Sequence, residues 1–411
     1  MFHLYHSSTL EEAITPGELG YIAGSIISAL YCFFRPQSKK TLLYMNIIFT
    51  IIICYMAFGL IQLVYISYII LFNLIIATLM IKYYIKRLSK NENTIETYNK
   101  ILKTRKRMCC LAILIYNSIF IFVYKYFFDK SLKKGNLQSG KCKISFITIQ
   151  LSWVILEYND RTSTTDILNY IFLIPSTLSG HCPPFHVYLK RDTERLKSSN
   201  VPLSGYFMAV VFIFGSILTR IPSRKEKLKK IDNILILQFI ILASGYSHRF
   251  LYYGMWVFSE SSLLYLGINY SNVKIKEIEL SRSIKNTVKN FNICYHDFLK
   301  ELIFKWVMEL TDNKYISILS CYFISSILLD FKFISSIVFF TLLAAGSFLY
   351  PYFVTNTVVD LILVNLYLHN LNLLISLSSF KLIFFVWWKV SLIFTGLLMT
   401  CLLIRTFKGI E

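Results

Sequence analysis

Charge is scarce in this sequence. Of 411 residues only 16% are Asp, Glu, Lys or Arg, against about 25% in ordinary soluble domains. From Leu42 to Ile81 there is none in 40 consecutive residues. So little charge in such long apolar blocks excludes a soluble enzyme, a disordered tail and a coiled coil. Strand-like alternation of polar and apolar residues is missing too, which excludes a transmembrane barrel. No C-x-x-C occurs, and no His and Cys pairs fall at zinc-finger spacing. The nine cysteines (Cys32, Cys54, Cys109, Cys110, Cys142, Cys182, Cys294, Cys321 and Cys401) therefore read as small buried hydrophobes rather than a metal site or a disulfide framework. Residues 1–18 are polar and carry no Lys or Arg, so no cleavable secretory leader is expected there, and the run Leu19–Phe34 should insert and stay. No internal repeat is visible, which argues against transporter folds built from paired halves.

What is abundant is apolar surface. Hydrophobic residues make up 55% of the chain, and the mean hydropathy is +0.55. A membrane helix needs about 20 such residues. Windows with at most one charge occur near 19–34, 42–60, 61–81, 108–124, 144–156, 203–219, 233–248, 250–270, 315–329, 333–356, 357–380 and 382–404. The expected fold is all-α, one polytopic transmembrane helical bundle over 1–411 with about 9–12 spans, some windows being too short to cross fully. Gly59 and Pro351 are the expected break points inside long runs. Lys and Arg number 43 against 23 Asp and Glu, a net charge of +20. Because the basic residues lie between apolar spans, as in 82–107 and 220–230, they point to anionic lipid rather than nucleic acid.

Two stretches break the pattern. Ile167–Leu189 has no Asp, Glu, Lys or Arg, yet holds Pro175, Gly180, Pro183 and Pro184. One straight helix cannot hold prolines so closely spaced, and non-helical backbone at membrane depth persists only when buried in protein or lining a wet cavity. A broken or re-entrant segment is expected. Residues 272–314 are polar and mildly basic, with a helix-like run from Ser281 to Val307 that suits an interfacial element. Ionisable groups within apolar spans are expensive and are functional candidates: His181, His186, Glu260, Asp330, Asp360 and His369, with His248 and Arg249 read as a helix end. Asn292 and His296, four residues apart, share a helix face, where an amide and an imidazole could orient a nucleophile and move its proton. Each of these has a plainer reading as a span end, a cap or a satisfied neighbour within the bundle.

Three blocks together resemble the membrane-bound O-acyltransferase (MBOAT) family, and within it the lysophospholipid acyltransferase branch. PSTLSGHCPPFHVY, 175–188, is similar to that branch's proline-rich element P-S-x-L-x-G-P-C-x-P-Y-x-D-Y. RFLYYGMWVFSES, 249–261, resembles R/K-x-x-Y-Y-x-x-W-x-x-x-E through Tyr252, Tyr253, Trp256 and Glu260. NFNICYHDFLKELIF, 290–304, resembles W-N-x-x-x-H-x-W-L through Asn292, His296 and Leu299, with Phe291 and Phe298 replacing both tryptophans. The blocks span roughly 170–340 in the family's order, and TPGELGYIAG near the amino terminus is weakly similar to the same branch.

The resemblance implies transfer of an acyl group from acyl-CoA, a co-substrate, to a lysophospholipid hydroxyl in the endoplasmic reticulum or another internal membrane, with no cofactor and no metal. It implies catalytic roles for Asn292, His296 and Asp330, and substrate-binding roles for Pro175, His181, Tyr188, Tyr252, Tyr253, Trp256 and Glu260. The family also carries a catalytic His on a later membrane helix, usually within S-A-x-W-H-G. The matching stretch here is SSILLDFKF, 325–333, which puts Leu329 or Asp330 in that slot, depending on register, and no histidine occurs between His296 and His369. His181 replaces the usual Pro of the proline-rich block, and Val187 the usual Asp. A positioned base is worth about 10²–10⁴-fold in such a transfer. The base would be Asp330, His181, His186 or His296; otherwise transfer goes without one, or the chain is a catalytically silent relative that binds lipid or acyl-CoA or scaffolds other proteins. Basic side chains of 272–305 could attract the phosphates of acyl-CoA.

Overall fold

A computed structural model describes residues 38–58, 60–85, 95–128, 137–159, 162–191, 203–219 and 233–329, with isolated positions at 26, 27, 30, 343, 360–362 and 364–368. Asp330, His369 and Pro351 lie outside the described residues, as do the windows beyond 330 apart from those isolated positions. Among the described residues the fold is helical, with one isolated β-bridge and no named strand.

The apolar runs form long helices: α1 (Lys39–Phe58), α2 (Leu60–Leu79, continued by a π turn, Met80–Ile85), α3 (Ile95–Phe128) and α4 (Leu137–Glu157). Gly59, an expected break point, lies outside the described residues. The broken segment appears as three short helices, α5 (Thr164–Ile171), α6 (Ile174–Ser179) and α7 (Phe185–Leu189). α6 has Pro175 in its first turn and ends at Gly180 with φ +69°, a left-handed conformation that glycine adopts at little cost. α8 (Leu203–Thr219) packs along α9 (Ile234–Tyr265).

α9 corrects the sequence reading. The windows 233–248 and 250–270 form one 32-residue helix, so His248 and Arg249 lie mid-helix and do not end one. His248 satisfies its Nδ1 on the Ser244 carbonyl at 2.9 Å, within the helix. Arg249 reaches out to both Glu279 carboxylate oxygens at 3.3 Å. With no proline or glycine between the two windows, nothing breaks the helix there. Glu260 accordingly lies near the α9 carboxyl end rather than mid-span.

The run Ser281–Val307 is likewise not one helix. It divides into α11 (Ile284–Asn290), α12 (Ile293–Leu299), a π turn (Lys300–Phe304) and α13 (Lys305–Thr311), preceded by α10 (Ile275–Glu279) and followed by α14 (Lys314–Leu329). The break falls at Phe291–Asn292, where Phe291 makes an antiparallel bridge to Val273 and Asn292 takes φ 57°. Sequence periodicity does not register a single left-handed residue.

Besides its buried apolar core, the described bundle carries apolar side chains on its outer face. Leu60, Val64, Tyr68, Leu71, Ile75 and Leu79 form an exposed stripe along α2. Behind it, Asn73 and Asn117 are fully buried and exchange amide hydrogen bonds at 2.8 and 3.0 Å, tying α2 to α3. Asn46 donates to Asn169 Oδ1 at 3.0 Å, tying α1 to α5. An apolar stripe of this length is a liability in water and ordinary against lipid, where buried polar side chains link helices. By length and composition, one described helix, Leu63–Lys82, suffices to cross a membrane; Leu203–Thr219 and Lys314–Leu328 are apolar but shorter.

Candidate active site

The three sequence blocks meet around the loop that follows α9. Trp256 Nε1 donates to the Ser179 carbonyl at 2.9 Å, and Ser259 Oγ donates to the Pro175 carbonyl at 2.8 Å, fastening α6 to α9. On another side of α9, Trp256 packs edge-on against Phe291 at 4.9 Å and Tyr252 stacks on Trp256 at 5.3 Å. Phe291 therefore fills an aromatic slot against Trp256 beside Asn292. Glu260 accepts from Ser271 Oγ at 3.0 Å. The adjacent Asn272, fully buried, accepts the Ile293 and Cys294 amides on its carbonyl and side-chain oxygens at 2.8 and 3.0 Å. Loop 267–274 thus holds the amino end of α12 against α9.

Asn292 is the N-cap of α12, its side chain accepting the Tyr295 amide at 3.4 Å. His296, half-buried, accepts no help from the Asn292 side chain in that arrangement; its Nδ1 lies 3.5 Å from Asp297 Oδ1. Tyr270 donates its hydroxyl to the other carboxylate oxygen of Asp297. Burial alone would raise the Asp297 carboxyl, but hydrogen bonds from His296 and Tyr270, with Lys300 nearby, outweigh it and hold the group below its ordinary value. The Tyr270 phenol is pushed far up, by burial first and then by neighbouring acidic groups including Asp297. Asp297 therefore stays ionised and Tyr270 stays a donor.

His181 faces this group from the proline-rich segment, its ring centroid 6.2 Å from that of Tyr270. It is fully buried, and the hydrogen-bonding group beside its ring is the Tyr270 backbone.

Other expected site residues lie elsewhere. Tyr253 is buried and donates to Glu279 at 2.6 Å, completing an ion-pair cluster with Arg249. Tyr188 packs on Tyr170 and Phe185 under the Arg191 guanidinium, which stands 4.1 Å over its ring. His186 is exposed and paired with Glu157 at 2.8 Å. Asp360 is buried. Sequence reasoning missed Tyr270, Asn272 and Asp297. Asp297 adjoins His296 and could have been noticed as its neighbour; the other two stand in no motif.

A model of the MBOAT family, the membrane-bound O-acyltransferases, matches residues 157–341, a little under half of the chain. The matched stretch contains all three blocks and the helix where the family His would stand, and it supports membership of that family of membrane-embedded acyltransferases. No curated protein matches the chain.

Proposed function

We propose that this protein is a divergent lysophospholipid O-acyltransferase of an internal membrane such as the endoplasmic reticulum, transferring an acyl group from acyl-CoA to a lysophospholipid hydroxyl. The observation that carries the reading is the convergence of the proline-rich, Trp256–Glu260 and Asn292–His296 blocks around loop 267–274, within the stretch that matches the family model. The alkoxide-forming hydroxyl needs a base, and the tetrahedral oxyanion needs donors. The outward apolar faces of α2 and α8 suit acyl chains and lipid. A second reading is favoured by the missing histidine between His296 and His369: a silent relative that binds acyl-CoA or lipid without turnover.

The test is transfer of label from radiolabelled acyl-CoA over a panel of lysophospholipids, in microsomes of an acyltransferase-deficient host. Label in one phospholipid above the empty-vector control is expected. Binding of acyl-CoA by folded protein with no transfer to any acceptor would favour the silent relative.

A further inference from the structure

We propose that the α10–α11 hairpin is a docking surface for anionic lipid headgroups of the membrane that holds this chain, whether or not the chain transfers acyl groups. Its outward cations select it.

Lys274, Lys276, Arg282, Lys285 and Lys289 are all exposed on the hairpin, and none of them meets a carboxylate among the described residues. Other cations are paired within the fold: Lys39 and Arg191 close on Asp166, Arg107 on Glu309, and Arg249 on Glu279. The hairpin has two acidic side chains. Glu279 is turned inward, held by Arg249 and by the Tyr253 hydroxyl. That leaves Glu277 as the one exposed carboxylate beside five exposed cations. A face with this excess of one sign is complemented by an anionic surface outside the protein.

The hairpin is built to keep that face outward. Ile278, Ile284, Thr287 and Asn290 are buried beneath it. Asn286 Nδ2 donates to the Glu277 carbonyl at 3.3 Å, which ties α11 to α10. In the turn, Ser281 Oγ donates to the Ser283 carbonyl at 2.8 Å, and the Ser283 side chain caps α11. On α11, Lys285 and Lys289 are four residues apart and share a face. Leu280, between the two helices, is 59% exposed. A lone exposed leucine is ordinary in water. Flanked in sequence by Lys276 and Arg282, it matches the way interfacial helices enter the headgroup layer.

The hairpin also adjoins the lipid-facing side of the bundle. Ile275 and Ile278 pack in one cluster with Tyr253 and Trp256 of α9 and Phe212 of α8. α8 exposes Phe207, Val210, Phe214 and Leu218. Long basic side chains beside such a helix can lay their stems on apolar surface and extend their charges to phosphate. Five cations distributed over two helices suit a layer of headgroups better than the single nucleotide end of an acyl-CoA. α11 runs directly into Phe291 and Asn292, and the Lys274 amide donates to the Asn290 carbonyl at 3.2 Å. A docked hairpin therefore sets the level of the candidate site relative to the bilayer.

The test is hydrogen–deuterium exchange of the full-length protein in two kinds of nanodisc. One holds phosphatidylcholine alone; the other holds phosphatidylcholine and phosphatidylserine in equal parts. Each Lys or Arg near an anionic surface is worth about fivefold in affinity. Exchange across 274–290 should accordingly slow by about fivefold or more in the serine-containing discs. The difference should vanish when Lys276→Gln, Arg282→Gln, Lys285→Gln and Lys289→Gln are combined. These side chains are exposed, so the variant should keep the wild-type unfolding temperature. If it does not, the pair Lys285→Gln and Lys289→Gln should remove part of the difference. Equal exchange of the wild type in both discs overturns the inference, as does slowing that survives the four substitutions. Slowing by palmitoyl-CoA in phosphatidylcholine discs, with none from phosphatidylserine, overturns it too and gives the face to the acyl donor. Acyl transfer in microsomes tests the proposed function separately, and its failure leaves this surface standing.

Discussion

Asn292 is the residue most easily misjudged by substitution, because its backbone and its side chain are both in use. It caps α12 in a left-handed conformation, φ 57° and ψ 63°, and accepts the Tyr295 amide. Asn292→Ala removes the cap and places an alanine where asparagine is tolerated. The capping bond at 3.4 Å is at the long limit, so its loss belongs at the low end of the usual range, about 0.5–1 kcal/mol. The left-handed backbone adds about 1–2 kcal/mol for an ordinary L-residue. The sum, roughly 1.5–3 kcal/mol, lowers the unfolding temperature of a chain of this length by about 2–4 °C. Asn292→Gly meets no φ penalty and loses only a few tenths of a kcal/mol at a cap, while Asn292→Asp retains the acceptor. Thermal unfolding in detergent of the three variants should therefore rank alanine well below glycine and aspartate. Equal destabilisation by alanine and glycine would refute the backbone account. The same set separates structure from chemistry: a glycine variant with near-wild-type stability and no acyl transfer places the amide itself in the reaction.

Gly180 and Glu309 give two further predictions. A Cβ at Gly180 would fall 2.3 Å from two Phe146 ring carbons, at a φ of +69°, so Gly180→Ala should destabilise by more than about 2 kcal/mol. In a double-mutant cycle with Phe146→Leu the contact part should be recovered and about 1–2 kcal/mol should persist; strict additivity would refute the clash. Glu309 pairs with the buried Arg107 guanidinium and with Lys103, whose hydrogen bonds hold its carboxyl at about 2 against a usual 4.5. Because Glu309 is itself half-exposed, Glu309→Gln should cost near the low end of about 1–3 kcal/mol, mainly by leaving Arg107 without a charged partner. The folded value is depressed, so this stabilisation is complete above about pH 4.5 and fades as pH falls toward 2. Between those limits the unfolding temperature of the wild type should fall more steeply than that of Glu309→Gln; parallel curves would remove the linkage.

The helical class followed from the sequence because it depends on local composition: runs such as Leu42–Ile81 can satisfy their backbone in lipid only by coiling. The breaks at Pro175 and Gly180 were legible for the same reason, since proline and glycine act on the backbone where they stand. The three blocks were recognisable as order and spacing. Tertiary structure decided the rest. It joined two apolar windows into α9, because no breaker stood between them and Arg249 found Glu279 outside the helix. It broke the run after α11 at Asn292, because Asn272 and Val273 reach across to that junction through contacts that no periodicity encodes. It turned Tyr253 and Tyr188 toward separate clusters and gathered His181, Tyr270, Asp297 and His296 from three stretches of chain. Residue types are a property of the sequence. Which of them is left without a partner is settled only by what packs around each one.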